Sequence, residues 1–212
     1  MTPAEIITEA RNIIQDTRAP YRYSDAVMLG FVNQTLKRIV AYRPDIFSYI
    51  GTISTTAGNV LQSLPSDSVR LVEIFQVQNG NAVTEVNRET LDQMYPGWVA
   101  EAAGTPVNFM RHPRNPNRYF LYPRPSAGVT LVGEYIQAPP TYTLNQTITL
   151  VPDSFFPIIV DGTVFLAESV DNEHVNSKRA ELFFTTFLEG IKASISTRII
   201  PDAENAAVQP PG

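Results

Sequence analysis

The sequence predicts an α+β protein: a four-helix bundle interrupted by a β-barrel or sandwich-like insert and continued by an extended C-terminal tail. Three observations predict it. Apolar residues recur at helical spacing near the start of the chain and again after residue 152. Between them, short runs rich in Thr, Val and Tyr are separated by Gly, Pro and Asn turn signals. Beyond Pro201 no apolar period remains. The expected segments are a helix pair over 1–48, a β insert over 49–151, a second helix pair over 152–199 and a tail over 200–212.

Thr2, Pro3 and Glu5 combine an N-cap, a proline at the first helical position and a reciprocal acid three residues past the cap. Ile6, Ile7, Ala10, Ile13 and Ile14 carry that helix to about Thr17. Ser24 caps a second helix, with its buried stripe expected at Ala26, Leu29, Leu36, Ile39 and Val40. It must stop near Arg43 and Pro44. In the insert, 69–78 alternates, Asn79 and Gly80 occupy a hairpin turn, and 82–86 returns. Asn87 caps a short helix holding Leu91 and Met94. Further strands are expected at 107–110, 118–122, 129–136 and 147–150.

From Phe155 to Val170 almost every helical face is apolar, so this helix is expected to be buried on most sides. The last helix, about 175–199, sets Ala180, Phe183, Phe184, Phe187, Ile191 and Ile195 on one face. Glu181, Thr185, Glu189 and Lys192 occupy the other. The tail has too few apolar anchors (Ile199, Ile200 and Val208) to fold alone. Its prolines favour an extended chain that orders on a partner.

Composition narrows function mainly by exclusion. With no cysteine among 212 residues, disulfides, cysteine zinc sites and thiol nucleophiles are ruled out. Only His112 and His174 are available, too few for a His-rich metal site. Nucleophile elbows, phosphate-cradling Gly-rich loops and H-E-x-x-H are absent, so no catalytic residue, cofactor site or metal site is expected. No apolar run approaches the ~20 residues of a membrane span. The first residues lack the pattern of a secretory signal, so a soluble intracellular product is expected. Charged residues make up 17% of the chain, below the usual quarter or so, which favours a protein that covers part of its surface with another subunit.

The charge that remains is segregated. Residues 108–125 read NFMRHPRNPNRYFLYPRP and hold Arg111, Arg114, Arg118 and Arg124, with no carboxylate anywhere from 102 to 133. Residues 153–177 hold Asp153, Asp161, Glu168, Asp171 and Glu173 and no lysine or arginine. Arginines interleaved with Phe109, Tyr119, Phe120 and Tyr122 are what a single-stranded nucleic-acid groove uses, so a nucleic-acid-binding module built on 108–124 is one reading. The other is a protein contact, because both faces of 118–122 carry apolar side chains, as in a strand packed on both sides. The acids read as a polar seam or pore wall rather than a metal site. A hydrolytic tail enzyme would need two carboxylates facing each other across a cleft, and no such pair stands out.

Two segments carry a resemblance. Residues 105–143, TPVNFMRHPRNPNRYFLYPRPSAGVTLVGEYIQAPPTYT, follow the order Pro, aromatic, turn, aromatic-aliphatic-Tyr-Pro-x-Pro, strand, Tyr-x-x-x-Pro. Residues 150–191, LVPDSFFPIIVDGTVFLAESVDNEHVNSKRAELFFTTFLEGI, give a Leu-x-Pro start, a helix, an acidic break and a second helix with spaced aromatics. Together with the N-terminal helix pair, this resembles the bacteriophage head-to-tail adaptor (connector, tail tubular protein A-like) family over nearly the whole chain. The resemblance implies a non-enzymatic virion protein of the neck, assembled in the host cytoplasm. It also implies a self-assembled ring, usually a dodecamer, that meets the portal on one side and the tail nozzle or other tail proteins on the other. DNA would pass through the lumen without specific binding. Arg111, Arg114, Arg118 and Arg124 would then meet a neighbouring subunit whose acidic side carries Asp161, Glu168, Asp171 and Glu173, while Ile199, Ile200 and Val208 anchor the tail on a partner.

Overall fold

Helix α1 (Pro3–Ile14) begins at a complete capping box. The Glu5 N–H donates to Thr2 Oγ1 at 3.3 Å and the Thr2 N–H donates to Glu5 Oε2 at 2.7 Å. Gln15 closes it in the left-handed region at φ 59°, short of the expected Thr17. These coordinates come from a computed structural model, which describes residues 1–170 and 177–196, without the side chains of Ser177 and 194–196. The chain forms two compact units, one of Met1–Arg43 with the chain from Thr141 onward, the other Pro44–Pro140.

In the first unit, α1 turns into α2 (Asp25–Tyr42) around one guanidinium. Arg11, only 6% exposed, donates to Asp16 Oδ2 at 2.6 Å, to the Tyr23 carbonyl at 2.7 Å and to Asp25 Oδ1 at 2.8 Å. Asp16 accepts in turn from the Arg22 N–H at 2.8 Å. A buried charge is tolerated only when it is paired and hydrogen-bonded, and this one is. Ser24 caps α2 as expected, but the buried face is Met28, Val32, Thr35, Leu36 and Ile39. Ala26 is exposed and Leu29 and Val40 are half-buried, so the expected stripe is rotated. Positions 28, 32, 35, 36 and 39 keep one helical face, which Ala26 and Val40 leave.

Helix α4 (Phe156–Ser169) follows a 3-10 turn at Asp153–Phe155, and α5 (Ser177–Ser196) completes the unit. Helix α4 lies against α1, α2 and α5, so the helices before and after the β unit share one core. Ile159, Val160, Thr163, Val164 and Ala167 are buried there, while Pro157 and Ser169 stay exposed. Gly162 permits the close approach. A Cβ at that position would lie 2.5 Å from Thr35 Cγ2 and 3.0 Å from the Phe187 ring. Asn33 ties the returning chain to α2: its Nδ2 donates to the Tyr142 carbonyl at 3.1 Å and its Oδ1 accepts the Tyr142 N–H at 2.8 Å.

The second unit holds two sheets. β1 (Ser48–Ser54), β7 (Thr130–Gln137) and β3 (Ser68–Val77) form an antiparallel sheet in the order β1-β7-β3. The other sheet runs β2-β6-β5-β4, from β2 (Leu61–Ser63), β6 (Arg118–Tyr122), β5 (Asn108–Arg111) and β4 (Thr84–Glu85), and its β4–β5 pair is parallel. Ile53, Leu71, Ile74, Leu131 and Tyr135 from the first sheet and Phe109, Tyr119 and Leu121 from the second make one core. Each sheet keeps two edges, so among the described residues the fold is α+β with open sheets and no closed barrel.

Asn79 turns the chain at φ 57° as the Asn-Gly signal predicts, but 82–86 pairs only briefly with β3 before crossing to β5. Helix α3 (Arg88–Met94) is capped by Asn87. Residues 147–150, expected as a strand, are irregular, and the Ile148 N–H donates to the Met1 carbonyl instead. Among the described residues no helix is long and apolar enough to cross a membrane.

Replacing Asn33 by Ala leaves the buried N–H and carbonyl of Tyr142 without partners. It should cost about 2–4 kcal/mol in urea unfolding of the full chain.

Candidate interaction site

The loop between β5 and β6 is pinned by hydrogen bonds from several of its groups. His112 Nδ1 accepts the N–H of Arg114 at 3.2 Å and of Asn115 at 3.0 Å, and the ring stacks on Phe120 with centroids 5.6 Å apart. With both N–H groups directed at Nδ1, His112 acts as the turn's internal acceptor. Asn117 donates through Nδ2 to the Ser68 carbonyl at 3.1 Å, and the Leu71 N–H donates to the Pro116 carbonyl at 3.0 Å. The loop is thus sewn to the start of β3.

Along this loop opens a cleft of about 460 Å³ whose lining includes Arg70, Arg111, Arg114 and Arg118, with His112, Pro113, Pro116 and Leu71. Among the described residues no carboxylate lines it. Three of the four arginines expected from sequence come together here, and Arg124 does not. Arg111 is structural as well as charged. It donates to both oxygens of Glu85, at 2.7 and 3.2 Å, and to the carbonyls of Leu71 and Val72, joining β5 to β3 and β4. Arg70, Arg114 and Arg118 are exposed and have no ion pair among the described residues.

The aromatic half of the nucleic-acid reading does not meet the same cleft. Phe109 and Tyr119 are fully buried, and burial pushes the Tyr119 phenol far above its ordinary range. Phe120 and Tyr122 pack edge-on against Trp98, which is 1% exposed and donates from Nε1 to Asp92 at 2.7 Å. The rings that could have stacked bases are largely committed to packing.

Of the acids, Glu168 is 2% exposed and sits between Arg22 at 3.7 Å and Arg179 at 3.9 Å of its own unit. Its charge serves the helical core. Asp161, seven residues earlier on α4, is half-buried without an ion pair among the described residues, and burial raises its carboxyl above the usual range. Asp171, Glu173, His174, Ile199, Ile200 and Val208 lie outside the described residues. Among the described residues no three His, Asp or Glu side chains could together hold a metal ion.

Two neighbours of the cleft escaped the sequence reading. Arg70 reaches it from β3, where only its alternation with buried Leu71 hinted at an outward side chain. Beyond Arg111 and Pro113 lies a second cleft of about 420 Å³ bearing Glu85, Glu89, Asp92 and Arg88.

Two outcomes are expected. Arg111→Ala should lower unfolding stability by about 1–2 kcal/mol through its lost hydrogen bonds, whereas Arg114→Ala and Arg118→Ala should stay within ~0.5 kcal/mol. Asp161→Asn should stabilise the protein at neutral pH. A carboxyl whose folded pKa lies above its unfolded value opposes folding while ionised, and that penalty vanishes once both states are protonated. Thermal melts of the variant and wild type should therefore converge as pH falls through the carboxyl range.

The model of one protein family, described as SU10 adaptor protein, matches residues 1–210. No curated protein matches the chain. With a match over nearly its whole length, the chain belongs to the SU10 adaptor protein family, a family of phage head-to-tail adaptors that are structural virion proteins.

Proposed function

We propose that this protein forms a ring, a dodecamer, in the virion neck, joins the portal to the tail nozzle or other tail proteins, and leaves an axial channel for DNA. In this reading α1, α2, α4 and α5 act as a four-helix bundle that carries the β unit as an insert. The supporting observation is the cleft. Arg70 on β3, Arg114 on the β5–β6 loop and Arg118 at the start of β6 line it without ionic partners among the described residues, in a chain of net charge −5. Exposed cations on a rigid frame set register with a partner of opposite charge, and a heterologous contact of this kind closes a ring. On the acidic side we place Asp161, Asp171 and Glu173, and as anchors of the tail over 200–212 we place Ile199, Ile200 and Val208.

The same arginines favour a second reading, nucleic-acid binding by electrostatics alone, since the rings of 108–124 are largely used in packing. Salt-dependent binding of single-stranded oligonucleotides by the purified protein tests it.

Electron microscopy of the purified protein and of virions labelled on this chain should show rings and a label confined to the neck. Label on the capsid shell or the distal tail would overturn the adaptor-ring reading. Deleting residues 201–212 should leave thermal unfolding nearly unchanged while lowering occupancy at the capsid vertex. Normal occupancy of the truncated protein would show the tail to be dispensable.

A further inference from the structure

We propose that the free edge of β1 binds an extended, lysine- or arginine-bearing segment of another phage protein as an added strand. This goes beyond the ring reading and holds whether or not a ring forms.

β1 is one edge of the sheet β1-β7-β3. All seven of its residues pair with β7 in unbroken register. In an antiparallel strand alternate residues turn both N–H and C=O away from the neighbour. Among the described residues no backbone group of 48–54 makes a hydrogen bond outside that ladder, so the outward row is unpaired. Sheets usually blunt such an edge with charge, proline, a bulge or a very short strand. The other edges here follow that practice. β3 carries Arg70 and Glu73, shifts register three times, and shares backbone hydrogen bonds with Asn81, Val83 and Pro116. β2 and β4 have only three and two residues. β1 has no charge, no proline and no bulge, and Ser48, Tyr49, Ile50, Thr52 and Ser54 are all exposed. It is a template left open.

The side chains beside the edge select what fills it. Ile53, Leu131 and Tyr135 face the core, so Ile50 and Glu134, which stand opposite each other, lie on the outer face. Ile50 is 62% exposed. Glu73 stands opposite Glu134 on its other side, and like charges so placed repel. The Ser48 hydroxyl donates to Glu134, but neither glutamate has an ion pair among the described residues. Arg70, opposite Ile136 on the same sheet, makes none with them. A lysine or arginine on an added strand would lay its aliphatic stem over Ile50 and bring its charge to Glu134. A second copy presenting its own β1 offers no such cation, since 48–54 is uncharged, and that pairing would be two-fold rather than ring-closing.

The probe is a capped, labelled peptide of alternating lysine and valine, as long as β1, titrated into the full chain. Binding is read by anisotropy and pairing by amide hydrogen exchange. In the free chain the outward amides of 48–54 should exchange freely, and saturating peptide should slow them at least about tenfold. The same peptide N-methylated at every amide keeps its charge and should not bind, nor should a version with glutamate in place of lysine. Glu134→Gln should weaken binding about threefold, and Ile50→Lys should weaken it further, with circular dichroism unchanged in both. In virions, a photo-crosslinking residue at Thr52 should join this chain to a lysine- or arginine-bearing segment of another protein. Failure of the unmethylated peptide to bind overturns the proposal, as does equal binding of the methylated one or indifference to both variants. Outward amides already protected in the free chain also overturn it. Protection that fades on dilution makes a second copy the occupant, and protection lost on deleting 197–212 makes the tail the occupant. Cross-links confined to this chain exclude the other protein. Rings are read separately by microscopy, so each of these failures leaves the adaptor-ring reading standing.

Discussion

The helical unit depends on one side-chain amide. A chain that leaves its helices for a β unit of about a hundred residues must return to the same core, and closing so long a gap costs roughly 4 kcal/mol in loop entropy if the intervening chain is unstructured. Asn33 supplies the point of return. It presents a donor and an acceptor at the spacing of a backbone amide, so Tyr142 finds on α2 the two partners that a neighbouring strand would give it. From that junction the chain runs on to α4, which lies against each of the other three helices. Arg11 does the corresponding work at the α1–α2 turn, where a single buried guanidinium serves three acceptors from Asp16, Tyr23 and Asp25.

What the sequence made legible was local. Caps at Thr2, Ser24 and Asn87 and the turn at Asn79 are decided within four residues, and all appear in the structure. The burial of most of α4 was legible from composition alone. Less legible was anything set by partners distant in sequence. The rotation of α2 depends on which face α4 and α1 cover, and a stripe of comparable apolar content on either side hides the choice. Residues 147–150 alternate like a strand, yet a pattern does not supply a neighbouring strand to pair with. Arg70 and Arg118 are separated by 48 residues in the chain and meet only because β3 and the β5–β6 loop are hydrogen-bonded together. Glu168 reads as an acid on a flank until Arg22 and Arg179 are seen around it.

Within the arginine segment, one sequence pattern covers several physical roles. Arg111 holds strands together, Arg114 and Arg118 face solvent, and Arg124 stands outside the cleft. His112, the residue of the segment that most invites a catalytic reading, spends its free lone pair on two backbone N–H groups. A surface that both defines the fold and carries charge can place that charge without blurring it.

The pinned loop has a kinetic side. Its backbone is ordered by Ser68, Leu71 and the stacked His112–Phe120 pair as the β unit folds, so its conformational entropy is lost once, before any partner arrives. An encounter then needs no search through loop conformations. For any partner that met this loop, productive collisions would be limited by orientation and long-range attraction, at a rate set by concentration and ionic strength rather than by rearrangement.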